Sequence, residues 1–239
     1  MKREYPWHLR LPSTEHYQRF KNLVQIHQLT AEWLHEIRSH DDPTPPLSHS
    51  LNPVISTNLP ENLKENLWML DSLANSDLES LLDDTSPSDT LDRLEQTLWA
   101  VQSLTVSTLN ESSLEPISWK QGKECGESRW KALAQQGNQD LRDILLALND
   151  SPFSGYPQGN GFLVRRALPI EIQIELMTCP HQNPFLATRL VADRLCRLHA
   201  QWIKGFAQAL HSQIQIEHFI PAAKNNLRCH QRWFLSGPK

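Results

Sequence analysis

Three residue types that bind zinc recur near the end of the chain. Cys196 lies in a helical pattern, while Glu217 and Cys229 belong to two strand patterns that follow it. Zinc takes about four sulfur, nitrogen or oxygen ligands in a tetrahedron, often from separate elements of a small α+β unit. The fourth ligand would be a water or one of three histidines: His230, His218 or His199. The spacing contains no CxxC pair, so the alternative is that both cysteines are buried thiols that pack as small hydrophobic groups.

A second candidate for chemistry is the segment Thr178-Cys179-Pro180-His181. A thiolate with an imidazole two residues away is typical of nucleophilic catalysis, because residues two apart share one face of a strand. Pro180 cannot donate a ladder hydrogen bond, however, so the strand is expected to end at Cys179. The alternative is a thiol at a strand end followed by a surface histidine. The chain has no GxSxG, P-loop, GxGxxG or HExxH motif.

The elements that would position these residues can be predicted from residue 118 onward. Leu195, Leu198 and Trp202 recur at helical steps, whereas Ile170–Leu176 alternates strictly between apolar and polar residues. Because the strands occur as adjacent pairs, the pattern favours an α+β fold, an antiparallel sheet with helices packed on one face. The predicted elements, in order, are helices 118–136 and 138–149, strands 162–167 and 170–176, helix 184–211, and strands 213–220 and 229–235.

Two glycines lie one turn apart in the first of these helices. Gly122 and Gly126 cost about 1 kcal/mol each relative to alanine within a helix. The usual compensation is the close approach of another backbone, or of a ligand, to that face of the helix.

The pattern of the first 110 residues predicts helices and no strands. Residues 13–38 begin with the capping-box-like Ser13-Thr14-Glu15-His16 and continue with apolar residues at helical spacing. The segment 41–60 holds five prolines and is predicted to be a loop or linker. Leucine stripes predict further helices at about 61–83 and after Pro87. We therefore expect two domains, a helical region at 1–110 and an α+β domain at 115–239.

The net charge of −4 is unevenly distributed. Residues 115–239 hold 15 Lys and Arg against 10 Asp and Glu, which leaves 8 basic and 17 acidic residues for the remainder. This difference in sign supports two regions, but a balance of about +5 is too weak to indicate nucleic-acid binding. There is no apolar run of the ~20 residues that cross a bilayer, and no secretory signal at the start. We therefore expect a cytoplasmic protein whose cysteines are thiols or metal ligands rather than disulfides.

The last 120 residues resemble the four-vinyl-reductase small-molecule-binding domain. The shared ending is a cysteine, a glycine and aromatic residue nine residues later, a strand glutamate and a final cysteine. In this chain these positions are Cys196, Gly205-Phe206, Glu217 and Cys229. The helix with Gly122-Lys-Glu-Cys-Gly126 and the strand-end Thr178-Cys179-Pro180 are also similar to that family. The aminothiazoline-carboxylate hydrolase-like family has a related layout. The resemblance covers about 118–236.

The resemblance implies an α+β domain that encloses a small aromatic, hydrophobic or tetrapyrrole-like ligand, commonly as a homodimer. In the family's regulatory sensors the corresponding Cys and Glu, with two further Cys, hold zinc. Here the loop 220–228 has no cysteine, so a histidine such as His230 would have to substitute. Pockets of this kind are mainly apolar, and the candidate walls are Trp119, Trp130, Phe162, Trp202, Phe206 and Trp233.

Arg165 and Arg166 occupy adjacent positions of one strand, so they are expected to point to opposite faces. The inward one, for which Arg165 is the candidate, would bind a ligand carboxylate. The alternative is an ion pair with Glu171 or Glu175.

Three functions remain open from the sequence. The first is a small-molecule-binding protein with its pocket between the sheet and helices 118–136 and 184–211. The second is a hydrolase-like or cofactor-biosynthesis enzyme in which Cys179 is the nucleophile or a ligand, helped by His181 or His199. The third is a partner-binding module that uses the leucine-rich N-terminal helices. No membrane and no direct nucleic-acid contact are expected.

Overall fold

A computed structural model describes most of the chain. The described residues are 12–38, 61–65, 67–73, 75–82, 86–133, 141–149, 162–176, 189–219 and 230–236. The chain divides into two compact units, Met1–Thr105 and Val106–Lys239. None of the described helices combines the length and the apolar character needed to cross a membrane.

The first unit is built on two long helices, α1 (Thr14–Arg38) and α5 (Pro87–Thr108), the second of which continues past its boundary. The predicted cap of α1 is present, because the Ser13 N–H donates to His16 Nδ1 at 2.9 Å and the His16 N–H donates to Ser13 Oγ at 3.4 Å. Ser86 caps α5 by accepting the Asp89 N–H at 3.1 Å. Pro87 then occupies the first helical position, where its missing N–H costs nothing.

Helices α1 and α5 run parallel and side by side. His16 contacts Ser88 at one end, and the Gln102 amide donates to Thr30 Oγ1 at 2.8 Å further along. Most of the described apolar residues of these two helices are buried, as expected for helices that pack against their neighbours. The buried apolar residues of the two helices include Phe20, Leu23, Ile26, Leu29, Trp33, Leu91, Leu94, Leu98 and Val101.

The prediction of one helix over 61–83 was wrong. The structure has three short helices there, α2 (Glu61–Lys64), α3 (Leu67–Leu73) and α4 (Leu78–Leu81). Asp77 caps α4, and its carboxylate accepts the Ser80 N–H at 2.9 Å. Hydrogen bonding with the side chain of Ser80, and then with its backbone, lowers the pKa of Asp77. Short polar side chains favour such caps over helix interiors, so a leucine period alone overestimates helix length.

The second unit contains α6 (Glu111–Leu133), α7 (Leu141–Asn149), β1 (Phe162–Leu168), β2 (Glu171–Leu176), α8 (Arg189–Leu210), β3 (Ile214–Phe219) and β4 (His230–Leu235). The predicted order of helices and strands is confirmed, and so is the α+β class with a helical region before it. Helix α6 starts seven residues before the predicted bound. Asn110 caps it by accepting the Ser112 N–H at 3.2 Å, and Pro116 lies within the helix rather than before it.

The four strands form one antiparallel sheet in the order β1-β2-β4-β3. In the register of the sheet, Ile172 pairs with Trp233 and Trp233 pairs with Ile216, so these residues share one face. Ile172 and Trp233 are buried. The pairing of β1 with β2 is irregular between Val164 and Arg166, where Arg165 is the additional residue.

Candidate functional site

The glycines of α6 and α8 face each other across a very close helix contact. A Cβ atom on Gly122 would lie 1.9 Å from the Trp202 carbonyl oxygen, and one on Gly205 would lie 2.0 Å from the Trp119 carbonyl oxygen. At Gly126 the corresponding distance to the Phe206 oxygen is 2.5 Å. Of the two explanations for the helical glycines, the structure therefore shows another backbone in close contact.

Polar contacts fix the register of the two helices along their length. The Trp119 indole N–H donates to Gln208 Oε1 at 3.0 Å. Near the start of α6, Arg197 binds the Glu111 carboxylate with two nitrogens, and its Nη2 lies 2.8 Å from Oε2. Arg194 approaches the same carboxylate at 3.6 Å. Because the partner numbers increase together along both helices, α6 and α8 are parallel.

A cavity of about 380 Å³ opens beside this helix pair. It lies between the start of α6, one side of α8 and the edge strand β3. Its volume is at the lower end of the ~300–1,000 Å³ that ligand pockets occupy. The cavity is lined by Glu115, Arg197, Ala200, Gln201, Lys204, Ile216 and His218.

The ion pair between Glu111 and Arg197 largely neutralises one cation of this lining. The hydrogen bonds from Arg197 hold the pKa of Glu111 below its ordinary value, and those to Glu111 raise the pKa of Arg197. The other described ion pairs of α6 and α8 use Lys120, Lys123 and Arg194. None of these pairs among the described residues includes Lys204, which is the second basic residue that lines the cavity.

The two faces of β3 have different surroundings. Ile216 and His218 line the cavity, whereas Glu217, between them, points to the other face and pairs with Arg232 at 3.4 Å. On that outer face Arg232 also binds Glu171 at 2.9 Å and holds the pKa of Glu171 below its ordinary value. Arg166 approaches Glu171 at 3.7 Å. Alternating charges therefore link β3, β4, β2 and β1 on this face.

The described members of the predicted zinc set do not share a site. Cys196 is buried on α8, nine residues before Gly205. Nine residues are two and a half helical turns, so Cys196 lies on the side of α8 opposite Gly205, away from α6. Glu217 instead lies on the outer face with Arg232, and His230 is exposed at the start of β4. Among the described residues no three His, Cys, Asp or Glu side chains come together as a metal site.

The predicted zinc site therefore lacks support in the part of the chain that the structure describes. Its fourth member, Cys229, lies outside the described residues, as do Cys179 and His181. The four-residue zinc set and the thiolate–imidazole pair both stay predictions.

The described residues of the predicted aromatic wall do not line this cavity. Trp202, Phe206 and Trp233 are buried in the core at 3%, 1% and 0% exposure, and the rings of Trp202 and Phe206 stack with centroids 5.4 Å apart. Trp119 is engaged with Gln208, and Trp130 is 39% exposed. The side chain of Phe162 is outside the described part of the molecule.

Arg165 and Arg166 both form ion pairs, which was the alternative to binding a ligand carboxylate. Arg165 Nε lies 2.5 Å from the buried carboxylate of Glu175, and Arg166 pairs with Glu171. Both guanidinium groups are therefore bound to acidic residues of the neighbouring strand.

The cavity residues Glu115, Ala200, Gln201 and Lys204 were not singled out from the sequence. The sequence nevertheless contains a spacing that points to these residues of α8. Arg197, Gln201 and Lys204 are four and three residues apart, which places them on one side of a helix. The pattern does not reveal that an edge strand and a second helix enclose that side.

The chain was compared with protein-family models, with curated proteins and with solved structures, and none of these comparisons gave a match. The resemblance to the four-vinyl-reductase-like family therefore stays a prediction.

Proposed function

We propose that the second unit is a small-molecule-binding module whose ligand occupies the cavity between α6, α8 and β3. The observation that carries the proposal is the cavity itself, of about 380 Å³, with polar and apolar groups from three separate elements converging on it. Small-molecule sites combine these features: a concave surface, some apolar lining and a few placed polar groups.

The scaffold around the cavity also supports the proposal. The contacts of Gly122 and Gly205 lock α6 against α8, and Arg197 is held by Glu111. Because side chains on rigid elements lose little freedom on binding, such a site is preorganised for a ligand. The lining favours a small ligand with a polar group over the wholly hydrophobic or tetrapyrrole-like ligand that the family resemblance implies.

The test is native mass spectrometry of freshly purified full-length protein, which reports bound ligand, metal and subunit number together. A noncovalent ligand mass should appear with the native chain and be lost when Ala200→Phe fills the cavity. The matched control is Ala167→Phe, at an exposed position of β1, which should retain the ligand. Equal ligand retention in both variants would refute a ligand in this cavity. The subunit count also tests the predicted homodimer.

A further inference from the structure

We infer that the ligand carries an oxyanion, a carboxylate or a phosphate, which Lys204 and Gln201 bind. This inference rests on the proposed function, because it assigns the chemical class of the ligand to the same cavity. It begins with the arrangement of polar side chains along α8. Gln201 lies one turn after Arg197, and Lys204 lies nearly one turn further, so all three project from the same side of the helix into the cavity.

The two cations of this row differ in their availability. Arg197 donates to both oxygens of Glu111, so its charge is already matched and its position is fixed. Lys204 forms none of the described ion pairs, although it shares a cavity with a carboxylate, Glu115. A hydrogen bond from an ammonium to an oxyanion is roughly twice as strong as a neutral one. The ammonium of Lys204 is therefore the strongest anchor that the lining offers to a ligand.

The other residues that line the cavity restrict the chemistry of the rest of the ligand. Ala200 and Ile216 provide apolar surface, and the Gln201 amide can donate a second hydrogen bond. Glu115 repels additional negative charge on the α6 side of the cavity. The arrangement fits a ligand with one anionic group and a short apolar body better than a ligand with negative charge throughout.

The experiment compares hexanoate with its uncharged amide, hexanamide, by isothermal titration calorimetry on the full chain in a low-salt buffer free of competing anions. Hexanoate should bind at least about tenfold more tightly, and added salt should reduce the difference because it screens the charge. Competition with inorganic phosphate distinguishes the two sources of oxyanion. Displacement of hexanoate identifies a site for phosphate groups, whereas its absence identifies a carboxylate site that requires the apolar chain.

Three variants connect the binding to the named residues. Lys204→Met should weaken hexanoate binding about tenfold to a hundredfold and leave hexanamide unchanged, since a hydrogen bond to a charged group is lost. Lys120→Met removes an exposed lysine of α6 outside the cavity and should have no effect. Glu115→Gln should strengthen hexanoate binding about threefold, because it removes a like charge. A gain in affinity cannot result from damage to the fold.

The outcomes separate this inference from the proposed function. Equal binding of acid and amide, unchanged by Lys204→Met, would overturn the oxyanion assignment and leave a small-molecule cavity. Failure of hexanoate and phosphate to bind would also overturn the assignment. The proposed function is then judged independently by the ligand mass that the native chain retains and Ala200→Phe loses.

Discussion

Two parallel helix pairs in this chain are held together in opposite ways. In the first unit, side chains fill the contact between α1 and α5. The Gln102 amide reaches Thr30 at 2.8 Å, and Arg19 binds both Asp92, at 2.6 Å, and Glu95. In the second unit, Gly122 and Gly205 let backbone meet backbone between α6 and α8.

The difference shows what each kind of contact demands. A contact between backbones is steric and leaves no room for a methyl group, but it consumes no polar side chains. The first pair buries polar groups instead, and these must be neutral or paired because a buried charge is costly. The glycine contact also uses only one side of α8, which leaves the side with Gln201 and Lys204 open to the cavity.

Gly205→Ala should have the largest effect on stability. It tests directly whether the close backbone contact holds α6 to α8. Helix propensity alone predicts a gain of about 0.5–1 kcal/mol for this change. The contact predicts a loss of about 3 kcal/mol or more, because the new Cβ would lie 2.0 Å from a backbone oxygen that cannot move without shifting α6. Urea unfolding of the two proteins, followed by circular dichroism, measures the difference.

Ser128→Ala, at an exposed position of α6, is the control and should change the free energy of unfolding by less than about 0.5 kcal/mol. A Gly205→Ala protein as stable as the native chain would show that the two helices separate easily, and the proposed rigid scaffold would then be wrong.

His27 should make the first helix pair sensitive to acid. It is 8% exposed on α1, and desolvation lowers its pKa from 6.5 to about 4. Its neutral form is therefore favoured in the folded state. The unfolded chain binds a proton below pH 6.5 and the folded chain only near pH 4, so stability falls as pH decreases through this range. The loss approaches about 3 kcal/mol near pH 4.

The measurement compares the native chain with His27→Leu by urea unfolding at pH 7 and pH 4. Carboxylates also titrate between these pH values, but their contribution cancels when the two proteins are compared. Between pH 7 and pH 4 the free energy of unfolding should fall by about 3 kcal/mol less in the variant than in the native chain. His230→Gln, which removes an exposed histidine, should behave like the native chain. Identical acid sensitivity in His27→Leu would mean that His27 is hydrated in the folded state.

The smallest effect on stability is expected at the ion pair of Glu111 and Arg197, between α6 and α8. Glu111→Gln removes the partner of Arg197 and Arg194. Because the Arg197 side chain is 45% exposed, the expected loss is only about 0.5–1 kcal/mol, and 0.5 M salt should reduce it. Glu124→Gln, in an exposed pair with Lys120, should have almost no effect. A loss as large as that of Gly205→Ala would show that charge, and not the glycine contact, holds α6 to α8.

Local patterns were sufficient for much of the fold. Ser13 and His16 predicted the cap of α1, and the alternation of Ile170–Leu176 predicted β2, because capping and strand alternation depend on residues close in sequence. The same reasoning overestimated the helix at 61–83, where Asp77 starts a new helix. It also began α6 too late, since Pro116 was tolerated inside it.

For the second unit, the sequence by itself determined the order of helices and strands, the α+β class and the requirement for close contact at Gly122 and Gly126. Only the tertiary structure decided that the Trp202 and Phe206 backbone, rather than a ligand, makes that contact. It also decided that Arg165 pairs with Glu175 and that Lys204 faces a cavity. Each of these depends on which distant segments meet, and a period of two or 3.6 residues specifies a face but not the segment that covers it.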